Sequence, residues 1–245
     1  MSYKKHFIEL KKRILLYCVF FMAVFVLCYI KSHYIYNILL KPLYNTGSVS
    51  NIIYTNLTDA FFTYLKTALF TTICLTFPFL LWQIYLFVAP GLYLHEKKTF
   101  VVYLIFSPLL FLLGALLAYC GIMPIAWHFL TSFADKNNKI IFLPKIDEYL
   151  SLAMSLIFGF GAAFQMPLLL SIMSKANIIN ANWLRKKRRI AIILIFLIAA
   201  ILTPPDILSQ IYLAIPLMLL YEVSIALCSW QARSKHLDKL KINSH

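Results

Sequence analysis

The chain carries nine acidic residues against 23 lysines and arginines, a formal net charge of +14. Carboxylates lying among the basic clusters are therefore the first candidates for chemistry. Glu9 lies in His6-Phe7-Ile8-Glu9-Leu10-Lys11-Lys12-Arg13, an amphipathic turn whose Phe7, Leu10 and Ile14 share a stripe. Its ordinary structural reading is an i,i+4 ion pair with Arg13, worth a few tenths of a kcal/mol. Glu96 stands in Leu94-His95-Glu96-Lys97-Lys98, just ahead of an apolar run. Its ordinary reading is a carboxylate meeting the unpaired N–H groups of a helix start. The alternative for both is a recognition role. His95-Glu96 does not make a zinc-protease motif, because the residue four beyond His95 is Thr99.

Within the apolar runs, Glu222 is the one clear ionisable group and Gln165 a polar companion. Polar groups at membrane depth are costly and mark packing contacts, partner docking or ion paths. Glu222 falls near the end of its run, where it either reaches headgroup water or serves as a polar docking point. Cys18, Cys28, Cys74, Cys120 and Cys228 all lie in apolar segments with no C-x-x-C pair, so they read as small hydrophobes in helix packing. Nothing resembles a serine nucleophile elbow, a glycine-rich phosphate loop or a pair of intramembrane aspartates. These residues predict neither an enzyme nor a metal or cofactor.

The elements that must position these residues are set by hydropathy. The chain is 62% hydrophobic and 13% charged, with mean hydropathy +0.79. So few polar residues cannot cover a soluble domain of 245 residues. A hydrocarbon core about 30 Å thick instead asks for helices of about 20 residues. Six spans are predicted, near 14–30, 67–90, 100–123, 149–174, 190–203 and 207–228, making one all-α transmembrane domain over 1–245. No small-x-small cleavage site follows the first run, which reads as a retained span. Residues 1–13, 91–99, 175–189 and 229–245 hold 17 of the lysines and arginines, whereas the other side holds Lys31, Lys41, Lys66, Lys136, Lys139 and Lys145. The positive-inside rule then places both termini in the cytoplasm. This clustering beside apolar runs, with no basic stripe among aromatics, argues against nucleic acid as a partner.

Two outer loops, 31–66 and 124–148, are rich in aromatics and read as folded caps. The fifth span of fourteen residues covers about 21 Å, short of the hydrocarbon core, so it ends below the outer surface or thins the bilayer. Prolines inside spans two, three, four and six bend their helices and predict a kinked bundle with a concave face. Small residues at Gly114 and Ala118, and from Gly159 to Ala163, read as close helix packing.

Taken in order, these segments resemble the TatC family, the core subunit of the twin-arginine protein translocase, over nearly the whole chain. His6 to Arg13 looks like the family's H-L-x-E-L-R-x-R start. Pro42-Leu43 and Asp59-Ala60-Phe61-Phe62 with Lys66 match its first outer loop. The most specific stretch is Gln83-Ile84-Tyr85-Leu86-Phe87-Val88-Ala89-Pro90-Gly91-Leu92-Tyr93, followed by His95-Glu96. Leu184 to Arg188 and Leu202-Thr203-Pro204-Pro205-Asp206 complete the series. The resemblance implies a receptor for twin-arginine signal peptides, with Glu9 and Glu96 as the recognising carboxylates. Arginine's planar fork pairs bidentately with a carboxylate, as lysine does not. It also implies single-span TatA- and TatB-like partners, further copies of the chain in a receptor complex, drive by the proton-motive force, and a bacterial inner membrane or an organellar counterpart. Two positions depart from the pattern: Gln165 stands where many relatives carry glutamate, and Lys11 replaces a usual arginine. The competing reading is a proton-coupled secondary transporter built on Glu222, for which no internal repeat is visible.

Overall fold

A computed structural model describes residues 3–44, 52–54, 56, 58–88, 94–132, 144–175, 178–202 and 207–242. The side chains at 3–6, 85, 88, 94–100, 129–132, 208–209 and 232–242 are not included. The described chain is helical, with one isolated bridge and no strand. Five stretches are long and apolar enough to cross a membrane: Phe7–Ile30, Asp59–Ile84, Val101–His128, Ile146–Lys175 and Gln210–Gln231.

Helix α1 (Tyr3–Ile30) is one uninterrupted rod, and α2 (Ser32–Tyr44) turns back across its end. Helix α3 (Asp59–Val88) returns antiparallel to α1 and packs along it. Aromatic residues make that seam: Tyr17 stacks on Phe79 at 6.4 Å, and Phe20 meets the same ring at 4.3 Å. Thr67, Thr72 and Thr76 on α3 are fully buried, each returning its hydroxyl to a carbonyl four residues earlier. That satisfies the hydroxyls without a partner helix, and such bonding bends a helix slightly.

The third span is longer than predicted. Helix α4 (Leu94–Leu117) passes through a π turn, Ala118–Ile122, into α5 (Met123–Ser132), so helix occupies part of the outer loop expected at 124–148. The fourth span breaks at Gln165. Helix α6 (Ile146–Ala163) stops, Phe164 and Gln165 form a turn, and α7 (Met166–Lys175) resumes with a buried Pro167. Proline at 167 has no N–H to offer Ala163, which accounts for the break. Helix α8 (Ala181–Lys186) is a short connector, α9 (Arg188–Leu202) is 15 residues, and α10 (Ile207–Ile242) runs well beyond the predicted end at 228.

Helices α4 and α6 approach closely because two glycines have no side chain there. A methyl at Gly114 would lie 2.6 Å from the Phe160 carbonyl, and one at Gly161 would lie 2.7 Å from the Phe111 ring. Both distances are inside van der Waals contact, so the small-residue spacing is a packing requirement. The apolar core runs from Leu39, Leu40 and Leu43 of α2 through Leu156 and Phe160 of α6 to Leu213 and Leu217 of α10.

Pro42 explains how the outer cap is fastened. It removes the N–H that would bond the Ile38 carbonyl, and the hydroxyl of Tyr119 in the π turn donates to that carbonyl instead, at 2.6 Å. The Tyr149 hydroxyl donates to the next carbonyl, Leu39, at 2.7 Å. The segments before α3 and α6 join where Ile146 N–H donates to Ile53 and Ile53 N–H donates to Pro144. Lys66 and Asp147 add an ion pair at 2.5 Å, and Phe61 packs edge-on against Phe62. Burial, with a hydrogen bond to Tyr54, holds the Tyr36 phenol protonated far above its usual range. The predicted Pro204-Pro205-Asp206 turn and Pro90 lie outside the described residues.

Candidate functional site at the basic end of the bundle

Glu9 lies two turns into α1, with its side chain 36% exposed. Arg13 Nε and Nη2 both donate to Glu9 Oε1, at 3.2 and 2.5 Å. The pair predicted from spacing is therefore formed, and among the described residues Oε2 takes no second partner. Lone pairs remain on the carboxylate for another guanidinium.

Seven residues beyond Thr76, about 10 Å along α3, Gln83 reaches the same level, since Tyr17 bonds Thr76 and Glu9 stands eight residues, about 12 Å, before Tyr17. Gln83 is 7% exposed, and its Oε1 has no hydrogen-bond partner among the described atoms. A buried orphan acceptor costs on the order of 1–3 kcal/mol, so Gln83 is a polar group in need of a donor. The sequence presented it only as the first residue of a motif. Its burial and orphaned oxygen emerge only from the fold. Phe87 is half-buried one turn further on. Glu96 falls in the first turn of α4, as expected, but its side chain is outside the described set.

Gln165 is committed elsewhere. Ser107 Oγ donates to Gln165 Oε1 at 2.5 Å, and Gln165 Nε2 donates to the Ser107 carbonyl at 2.9 Å. The amide bridges the break in the fourth span to α4, beside Pro108. It stands next to an apolar cavity of about 570 Å³ between α3 and α4, with Pro78 and Pro108 in its walls, without lining it. Ser107 had no distinguishing mark in the sequence beyond preceding a proline.

Glu222 accepts from Arg188 Nη2 at 2.7 Å, and both side chains are 49% exposed. The arithmetic fits: α9 from Leu202 back to Arg188 and α10 from Ile207 to Glu222 each cover about 21–22 Å. Glu222 thus stands level with the start of α9, paired and half-exposed, within the apolar stretch Gln210–Gln231. Among the described residues no cluster of His, Cys, Asp or Glu is fit to hold a metal.

A family model described as Sec-independent protein translocase protein (TatC) matches residues 5–216. The chain belongs to the TatC family. The Sec-independent protein translocase protein TatC of Rickettsia prowazekii is 46% identical over 233 residues, 94% of this chain and 93% of that protein. That of Magnetococcus marinus is 41% identical, covering 90% and 81%. A crystal structure of a twin arginine translocase receptor TatC superposes with a TM-score of 0.81 at 33% identity, over 92% of this chain and 98% of that one. As a TatC protein, the chain is a non-enzymatic, multi-pass subunit of the Sec-independent translocase in the bacterial inner membrane, and it works with other Tat subunits. The transporter reading is not supported by this identity.

Proposed function

We propose that the basic end of α1 and the start of α4 receive the consecutive arginines of a twin-arginine signal peptide, with Glu9 and Glu96 as acceptors. The observation that carries this is Glu9 itself, a part-exposed carboxylate taking two N–H bonds from a guanidinium. An i,i+4 pair of this exposure is worth only a few tenths of a kcal/mol, so an incoming arginine exchanges with Arg13 at little cost. Gln83, with its unpaired oxygen at the same level, adds a neutral acceptor for a further N–H.

The apolar part of the signal then enters the cavity between α3 and α4, whose walls are almost wholly apolar. Gln165 serves this step indirectly, by fixing the bend of α4 at Pro108. Helix α9 forms the sixth crossing, with both termini cytoplasmic. At about 22 Å it thins the bilayer locally. Single-span TatA- and TatB-like partners dock on the lipid-facing residues of α9 and α10, such as Ile193, Leu197 and Ile201, and further copies of the chain complete a receptor complex. The driving energy is the membrane potential, about 2.3 kcal/mol per charge per 100 mV.

Photo-crosslinking in membranes, with a signal peptide carrying Arg-Arg or Lys-Lys, tests the recognition step. Labelling is expected to fall about tenfold with Lys-Lys and with Glu96→Gln or Glu9→Gln. Equal labelling in every lane would reduce the contact to apolar burial and sink the carboxylate role.

A further inference from the structure

A second cavity, of about 520 Å³, opens at the basic end between the end of α7, helix α8 and the lower part of α10. Its walls include Lys175, Arg185, Lys186, Asn182, Trp183 and Gln231, with no carboxylate among the described lining residues. Arg185 and Lys186 have no carboxylate partner among the described residues.

The cavity is built rather than incidental. The Tyr221 hydroxyl donates to the Leu184 carbonyl at 2.8 Å, and Leu184 is 2% exposed, so α8 is pinned with its basic residues outward. Gln231 is anchored by its amide nitrogen to the hydroxyls of Ser171 and Tyr103, leaving its oxygen buried and unpaired. The two ends of an amide are interchangeable in such a network. Turning it over lets one hydroxyl donate to Oε1 while the other donates to its neighbour, and directs the NH₂ group to an acceptor.

The depth of the cavity in the bilayer selects its ligand. The membrane-crossing stretches Ile146–Lys175 and Gln210–Gln231 both end on it. Trp183 and Trp230, 51% and 71% exposed, stand at the same level, where indole side chains mark the boundary between hydrocarbon and headgroups. From this geometry we infer that the cavity is a binding site for the phosphodiester headgroup of an anionic phospholipid. Arg185 and Lys186 supply the charge, Lys175 adds to it while it lies over the Tyr103 ring at 5.4 Å, and the lipid tails run up the apolar sides of α7 and α10. The cavity is lined from α7, α8 and α10, and the assignment stands whether or not Glu9 and Glu96 receive a signal.

The test uses the full chain in detergent, with lipid retention read by native mass spectrometry. Phosphatidylglycerol is expected to be retained about tenfold over phosphatidylcholine. The triple variant Lys175→Gln, Arg185→Gln, Lys186→Gln should lose that preference, while Lys11→Gln, Lys12→Gln keeps it. A photoactivatable phosphatidylglycerol on the unmodified protein, with the labelled peptide mapped, should mark 171–186 or 229–231, and does not depend on the variant folding. Equal retention of the two lipids, or label placed elsewhere, overturns the assignment. Competition by inorganic phosphate as strong as by the lipid makes it a free-anion site. Displacement by a polyglutamate peptide but by neither lipid assigns it to an acidic protein segment. Either result also overturns the lipid reading.

Discussion

Gln165 and Ser107 hold one another through two hydrogen bonds across the α4–α6 interface, hydroxyl to amide oxygen and amide nitrogen to backbone carbonyl. The pair joins α4, beside Pro108, to the Phe164-Gln165 turn that interrupts the fourth span. Two neutral bonds complete this join, with no ionic charge on either partner.

The first prediction concerns charge at that join. A glutamate at 165 still accepts from Ser107 Oγ, but as a carboxylate it faces the Ser107 carbonyl with no proton to give. Gln165→Glu should therefore lose about 1–3 kcal/mol of stability, the cost of leaving a buried carbonyl without its donor. Thermal melting in detergent reads this. An unchanged melting temperature would show that the carbonyl finds another donor.

Ser107→Ala removes only the hydroxyl bond and should cost about 0.6–1.7 kcal/mol, the range measured for interhelical bonds in membranes. A double-mutant cycle with Gln165→Leu should return a coupling of that size. Strict additivity would mean that the pair contributes nothing to the bend.

Pro42 and Tyr119 give a rescue prediction. Tyr119→Phe leaves the Ile38 carbonyl without its donor, at a cost on the order of 1–3 kcal/mol. Pro42→Ala, made in that background, restores a backbone N–H four residues along and should recover part of the loss. If the double variant melts below Tyr119→Phe alone, the proline matters for its fixed φ and not for the carbonyl it frees.

Gly114→Ala and Gly121→Ala should separate cleanly. The first drives a methyl to 2.6 Å from a backbone oxygen that has no rotamer to escape by, and should cost about 1–3 kcal/mol. The second meets nothing within 4 Å and should be tolerated. Monodispersity and melting temperature of the two variants decide it.

The half-exposed pairs Lys66–Asp147 and Arg188–Glu222 should each be worth under about 1 kcal/mol. Glu222→Gln is expected to shift the melting temperature little. A loss of several degrees would mark Glu222 as buried in the assembled translocase.

Much of this chain was legible one residue at a time. Hydropathy placed five crossings where the helices run, because a bilayer demands about 20 apolar residues in series whatever surrounds them. Glu9 and Arg13 could be paired on paper, since four residues is one helical turn. The family motifs named Gln83, Pro42 and Lys66 before the reasons for them were visible.

Tertiary structure decided what depends on residues far apart in the chain. Tyr119 in the π turn meets the carbonyl that Pro42 released, 81 residues from Ile38 to Tyr119. Gln165 became a brace because Ser107 lies opposite, 58 residues away. Glu222 gained its partner because α9 is just long enough to bring Arg188 level with it. Hydropathy is a property of each segment and can be read locally. Which polar groups satisfy one another in a membrane protein is settled only when helices pack, since in hydrocarbon each must find its partner within the protein.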